Sequence, residues 1–265
     1  MRVSSRVAYY RRTSDSYPHF GEVVSAVVFL MLEWQIKLPG KIMITAIAPP
    51  IKNKTVINFP QWQVATWEDY VTYRDQPHSE RVRLFFNGTH LLIDMGNEGI
   101  NHSKVSDLLT LLFGFWFTFQ DQQTAESLGR CLLEKHQMRA VAPDLVLYIG
   151  ENIPQWQEGE PRRIDLNQWR VPDLVGEISD TTLATDLDEK KKLYADLEIP
   201  EYWVIDVKGK QVFAFRLQTD KTYQQITNSI ALKDLPIVLL EETLQQLSQG
   251  TNISAANWFR NAIAQ

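Results

Sequence analysis

The chain has 265 residues, 44% of them apolar and 22% charged, enough to bury a core for one globular domain of generous size or two small ones. Its 27 Lys and Arg against 32 Asp and Glu leave a net charge of −5, which excludes coating of nucleic acid by bulk electrostatics but allows a local basic groove. A single cysteine, Cys131, and five scattered histidines exclude a disulfide framework and a zinc-type Cys/His set, and point to a reducing, cytoplasmic setting.

Residues 1–50 carry six Lys/Arg against three Asp/Glu, so the remainder, with 21 against 29, stands at about −8. Arg2, Arg6, Arg11 and Arg12 precede an apolar run from Val23 to Leu32 that Glu33 closes; it is too short to span a bilayer. Together with Ala46-Ile47-Ala48 it resembles a secretory signal, although Glu33, Trp34, Gln35 and Lys37 intervene. The alternative is an N-terminal extension over residues 1–42, with Met43 as the natural start and one domain over residues 43–265. No repeat or heptad array is present.

Thr66-Trp67-Glu68-Asp69 has capping-box form and predicts a short helix to about Arg74. Arg83 to Phe86, Asn87-Gly88, then Thr89 to Asp94 predicts a β-hairpin, because Asn-Gly accepts the positive φ of a tight turn. Asn101 can cap a helix over about 102–119, in which Val105, Leu108, Leu109, Leu112 and Trp116 recur at helical spacing. Strands are expected over Gly129 to Glu134, Asp144 to Ile149, Asp173 to Ile178, Tyr202 to Asp206 and Val212 to Leu217. One helix, Asp186 to Glu198, stops at Ile199-Pro200, and two more close the chain near Glu241 to Gln249 and Ala255 to Ala264. The fold class is therefore α+β or α/β, a central mixed sheet flanked by helices.

Two strands begin alike, Pro143-Asp144-Leu145-Val146 and Pro172-Asp173-Leu174-Val175, and the second runs on to Glu177. Glu177 either faces solvent on a half-exposed strand or lies buried, where it needs a partner, a proton or a metal ion. Placed at 100° per residue, Lys190 falls inside the apolar arc of Leu187, Leu193, Tyr194 and Leu197, whereas Lys191 and Lys192 turn toward solvent. An inward lysine must find an anion or lose its proton; Glu177 and Asp144 are the candidates. Two carboxylates and a lysine are a tool for phosphodiester hydrolysis. The carboxylates hold Mg²⁺ or Mn²⁺, and the lysine orients the water or stabilises the developing charge. The same three residue types also form purely structural ion pairs.

The stretches Val141-Ala142-Pro143-Asp144 to Ile149, Pro172-Asp173 through Glu177-Ile178-Ser179, Asp186 through Lys190 and Tyr194, and Ile199-Pro200-Glu201-Tyr202-Trp203-Val204-Ile205-Asp206 resemble a large bacterial family of restriction-endonuclease-like proteins with the PD-(D/E)XK nuclease fold, formerly a domain of unknown function. The similarity covers about residues 60–262, with the block from Asp173 to Asp206 its specific part and His102 at a family position before the long helix. The resemblance implies a restriction endonuclease-like fold, Asp144 and Glu177 as metal ligands and Lys190, from the following helix, as the lysine; Ser179 stands two beyond Glu177, where the nuclease motif has lysine. Gly176 replaces a β-branched residue, and the hairpin Arg83-Leu84-Phe85-Phe86-Asn87-Gly88 lacks the acidic residue relatives carry.

The expected protein is a Mg²⁺- or Mn²⁺-dependent endodeoxyribonuclease, with Asp144, Glu177 and Lys190 catalytic, DNA as partner, no membrane, and a homodimer if both strands are cut at one site. Its alternatives are a catalytically inactive nucleic-acid-binding or interaction module on the same fold and a secreted hydrolase. A nuclease with so acidic a body needs a basic approach to Lys190, for which Arg162, Arg163 and Arg170 are candidates.

Overall fold

The computed structural model describes residues 61–77, 82–94, 98–119 and 124–264; the extension expected over residues 1–42, the Ala46-Ile47-Ala48 tripeptide and Met43 lie outside the described residues. Strand β1 (Gln63–Val64) leads into helix α1 (Trp67–Asp75). The capping box forms as expected: Asp69 N–H donates to Thr66 Oγ1 and Thr66 N–H donates to the Asp69 carboxylate, supplying acceptors to donors that the first helical turn leaves orphaned. The hairpin also forms, from β2 (Arg83–Phe86) and β3 (His90–Asp94). Its turn centres on Gly88-Thr89, because Asn87 N–H donates to the His90 carbonyl. Only Gly88 takes positive φ, +98°, while Asn87 Oδ1 accepts from the N–H groups of Thr89 and His90. Helix α2 (Ile100–Phe119) starts ahead of Asn101, which is therefore not its cap; the expected apolar stripe is buried.

The middle of the chain contributes β4 (Ala125–Ser127), β5 (Leu133–Lys135), β6 (Arg139–Val141), β7 (Leu145–Ile149), β8 (Ile164–Asp165) and β9 (Leu174–Ser179). Only the end of the strand expected over 129–134 is extended into β5. Ahead of it Arg130 takes φ +67°, and Gly129 lies so close to Asp144 that an added Cβ would meet its carbonyl oxygen at 2.5 Å. The helix expected over 186–198 runs as α3 (Leu183–Thr185), a π turn (Asp186–Lys190) and α4 (Lys191–Asp196). It ends in a reversal at Glu198, φ +61°, just before Pro200. Strands β10 (Glu201–Asp206), β11 (Gln211–Leu217) and β12 (Tyr223–Ile226) and helices α5 (Ile237–Gln249) and α6 (Asn252–Ile263) complete the described chain. None of the described helices is long and apolar enough to cross a membrane.

The mixed α+β class holds, but the single central sheet is corrected to two six-stranded sheets, ordered β1-β3-β2-β6-β5-β8 and β12-β11-β10-β9-β7-β4. Strands β1, β4, β6 and β8 were invisible to pattern because two or three residues cannot display an alternation. Each sheet holds one parallel contact, β5 with β8 and β9 with β10, among antiparallel ones. Alternate residues of the second sheet face different layers. Leu145, Leu147, Leu174, Ile178, Trp203 and Ile205 pack with α2, α5 and α6, whereas Val146, Tyr148, Val175, Tyr202 and Val204 pack with α4 and the first sheet. All of β9 is buried, so its face-to-face parity decides what Glu177 meets. Gly176 marks a close approach, as an in-strand glycine can: its Cβ would lie 2.9 Å from Leu145 Cδ1.

Gly129→Ala drives a methyl group into the backbone at Asp144 and is expected to cost about 1–3 kcal/mol, measured by urea unfolding; a midpoint equal to that of the parent would contradict the close contact.

Candidate active site

Leu145 pairs with Gly176 and Val146 with Val175 in the antiparallel ladder of β7 and β9, so one step beyond it Asp144 stands across from Glu177. Both belong to the face turned toward α4 and the first sheet, and they are 2% and 1% exposed. Lys190, on the last residue of the π turn, is 1% exposed and completes the expected trio: its Nζ lies 3.0 Å from Glu177 Oε2 and 2.9 Å from Asp186 Oδ1. A π turn, bonded i to i+5, lets Asp186 and Lys190 both point inward. The helix periodicity thus oriented Lys190 correctly although the local geometry is not α-helical.

The remaining oxygens are also occupied. Tyr194 Oη donates to Glu177 Oε1. Asp186 Oδ2 accepts from Ser179 Oγ and Thr182 Oγ1, each at 2.6 Å. Ser179, in the position of the motif lysine, therefore acts on the lysine through Asp186. Asp144 Oδ2 accepts from Ile178 N–H at 2.8 Å, and Asp144 Oδ1 accepts from Arg83 Nη1. The same Arg83 nitrogen is 3.6 Å from Glu177 Oε2, and Nη2 is 2.6 Å from Asp94 Oδ2. The hairpin that lacks the family's acidic residue thus supplies a cation between the two carboxylates. Phe85, from the same strand, lies with its ring centroid 4.3 Å from Lys190 Nζ.

On the other side of Asp144, His102 places Nε2 3.2 Å from Asp144 Oδ2 and Nδ1 3.6 Å from Glu98 Oε2, yet neither ring nitrogen is aligned in a hydrogen bond. Glu98 is held at 2.6 Å by Arg130 Nη2, whose backbone N–H donates to the Pro143 carbonyl. One ligand atom each from Glu98, His102 and Asp144 lies within 4.8 Å of the others. A buried imidazole with unaligned nitrogens between two carboxylates fits a divalent cation. Glu177 is placed differently: its oxygens already serve Lys190 and Tyr194, and Arg83 stands between it and Asp144.

The electrostatics follow from this crowding. Burial pushes the Asp144 carboxyl up, but His102, Arg83 and the Ile178 N–H outweigh it and bring its pKa down to about 2. Burial likewise raises Glu177; Lys190 and Arg83 oppose it, Asp144 and Asp186 reinforce it, and the pKa is pushed up to about 8. Burial works against the charge on Lys190, yet Glu177 and Asp186 prevail and its pKa is raised. Carboxylates are in excess: Asp94, Glu98, Asp144, Glu177 and Asp186 face Arg83, Arg130 and Lys190. A proton or a cation relieves that surplus.

Residues 67–255 match the Uma2 family, described as "Putative restriction endonuclease". The chain belongs to that family. A crystal structure of "a putative nuclease belonging to DUF820 from Anabaena variabilis ATCC 29413" is similar over 74% of this chain and 99% of that chain, at 17% identity and a TM-score of 0.46. No curated protein matches the chain.

Other expected participants lie elsewhere. Arg170 pairs with Asp173 at 2.8 Å, and that carboxylate accepts from Ile149 N–H, at the opposite end of β7 from Asp144. Arg163 is 3.1 Å from Glu134, and Arg162 lines a separate cavity with it. The cations beside the cluster are instead Arg83 and Arg130. Asp186 was within reach of sequence reasoning, lying four residues before Lys190, and Tyr194 shared its apolar arc. Arg83 and Glu98 carried no signal, since only packing of the hairpin and of the turn before α2 brings them here.

Lys190→Met leaves Glu177 and Asp186 buried without their cation, so a loss of about 3–5 kcal/mol is expected rather than an intact fold. Adding Glu177→Gln should restore part of it. Urea unfolding of the two single variants and the double variant checks this, and strictly additive losses would contradict the coupling.

Proposed function

We propose that the cluster is the active site of a divalent-metal-dependent endonuclease that hydrolyses DNA phosphodiester bonds. The observation that supports this most directly is the pair of buried carboxylates, Asp144 just before β7 and Glu177 within β9, standing across from each other with Lys190 bonded to one of them. Membership of a restriction endonuclease family agrees with that reading.

Asp144, Glu98 and His102 are the residues that would hold the ion. A mixed oxygen and nitrogen set suits Mn²⁺ more readily than Mg²⁺, which prefers oxygen ligands throughout. When bound, such an ion polarises a phosphate oxygen and lowers the pKa of a coordinated water. The protein's own groups supply the rest. Lys190 offers a fixed positive charge in a site that excludes water, where it stabilises negative charge far better than at a surface. Glu177, with a pKa pushed up to about 8, can exchange a proton on a carboxylate oxygen near neutral pH, and Tyr194 and Lys190 hold that group still. Glu177 enters as a metal ligand only if Arg83 turns away toward Asp94, which its other nitrogen already holds.

Arg83 also favours a second reading. Its guanidinium links Asp144 to Glu177 and offsets their charge without a metal, as expected of an inactive module that keeps the cluster for stability.

Nicking of supercoiled DNA and calorimetric Mn²⁺ titration separate the two. The active reading expects metal-dependent nicking abolished by EDTA, with Asp144→Asn and His102→Ala lowering both metal affinity and nicking, the former by at least about 100-fold. Thermal melting checks that each variant is folded. Nicking by Asp144→Asn at the parental rate would overturn the assignment, and a parent that neither binds Mn²⁺ nor nicks DNA would select the inactive reading.

A further inference from the structure

Away from the acidic cluster lies a cavity of about 410 Å³, in the size range of small-molecule sites. Its walls are Leu128, Cys131, Trp156 and Trp169, with Arg162 and Arg163 at its polar side. Trp156 is 55% exposed, an unusual position for a large apolar ring, yet it is not loose: its Nε1–H donates to the Glu160 carbonyl at 2.9 Å, pinning one edge of the indole. The cavity's carboxylate, Glu160, accepts from Gln157 N–H. Arg163 shares Glu134, whereas Arg162 pairs with no carboxylate among the described residues. Burial raises the Cys131 pKa, so the thiol stays neutral and serves as apolar wall. A pinned indole, a second indole and an arginine without an anion form a combination that suits a flat aromatic ligand carrying negative charge.

The cavity adjoins the catalytic cluster through one short loop. Leu128 and Cys131 line it, and the two residues between them face the other way. Gly129 abuts the Asp144 carbonyl, and Arg130 holds Glu98. The four-residue segment Leu128 to Cys131 thus touches both the cavity and the cluster.

We propose that this cavity binds an unpaired nucleotide of the nucleic-acid substrate, its base stacked on Trp156 and its phosphate met by Arg162. The nuclease reading is thereby sharpened toward substrates with a single-stranded or extruded nucleotide beside the scissile bond, and it rests on that reading for its substrate. The base of a regular duplex is stacked inside the helix and cannot enter.

The test is fluorescence anisotropy with the full chain in EDTA, so that binding is read without cleavage. The probes are a labelled single-stranded DNA 12-mer, the RNA of the same sequence and the corresponding DNA duplex. The single strand should bind more tightly than the duplex, and Trp156→Ala should weaken single-strand binding about 10-fold while changing duplex binding less than about 2-fold. Trp156→Phe should recover much of the loss, and Arg162→Gln should weaken the single strand without changing the melting temperature. An RNA probe with the same Trp156 dependence supports the pocket and shows that it tolerates a 2′-hydroxyl. Unchanged single-strand affinity in Trp156→Ala, or equal losses for single strand and duplex, would overturn the proposal. Single-strand binding that depends on Trp156 in a protein that never cleaves sustains the pocket and defeats the nuclease. Cleavage with no such dependence does the reverse.

Discussion

An ammonium group with almost no contact with water must be matched by anions at close range, and Lys190 is matched by two, Glu177 on β9 and Asp186 one turn earlier on its own helix. Without the lysine, either carboxylate would be buried with its charge uncompensated. Around this centre the second layer of contacts is continuous: Ser179 and Thr182 hold Asp186, Tyr194 holds Glu177, and Tyr202 donates to the Asp186 carbonyl. The strand, the π turn and the helix after it are therefore tied to one another by the same charges that the proposed chemistry needs. Stability and the proposed function draw on one cluster.

That cluster sits at the seam between the two sheets. The second sheet brings Asp144 and Glu177 opposite each other through the register of β7 and β9, and the first sheet reaches across with Arg83 and Phe85. Gly129 and Arg130, in the turn before β5, close the third side against Asp144 and Glu98. Because every carboxylate oxygen of Glu177 and Asp144 has a near neighbour, the arrangement is crowded rather than open. The His102 nitrogens, between Glu98 and Asp144, are among its buried polar atoms without an aligned hydrogen bond, together with Arg83 Nε, Arg130 Nε and Asp186 Oδ1.

Much of this is legible in the sequence. The turn chemistry at Thr66 and Gly88, the stripe of α2 and the strands β7, β9, β10 and β11 follow from patterns long enough to repeat. Glu177 and Lys190 stand out because each breaks an apolar pattern, and a charge inside such a pattern demands a partner; Asp144 stands out by the repeated Pro-Asp strand start, which places it at a sheet end where exposure is expected, whereas it is buried. The four short strands β1, β4, β6 and β8 and the division into two sheets were not legible, since β1 and β8 are two residues long and β4 and β6 three, too few to carry a period. Arg163 and Arg170 do not supply the basic approach expected of them for a related reason. A loop arginine is aimed by the tertiary contacts it finds, here Glu134 and Asp173.

The acidic balance of the chain is concentrated in part at one cluster, where Asp94, Glu98, Asp144, Glu177 and Asp186 meet Arg83, Arg130 and Lys190. Local spacing was sufficient to turn Lys190 inward and to mark Glu177 as a residue that needs a partner if buried, because helix and strand periods act within a dozen residues. Which partners they obtained was a matter of register and sheet packing. Arg83 is separated from Asp144 by 61 residues along the chain, and Glu98 and Arg130 meet only across the turn before α2 and the turn before β5. Charges attract by distance in space, and that distance is set by the fold.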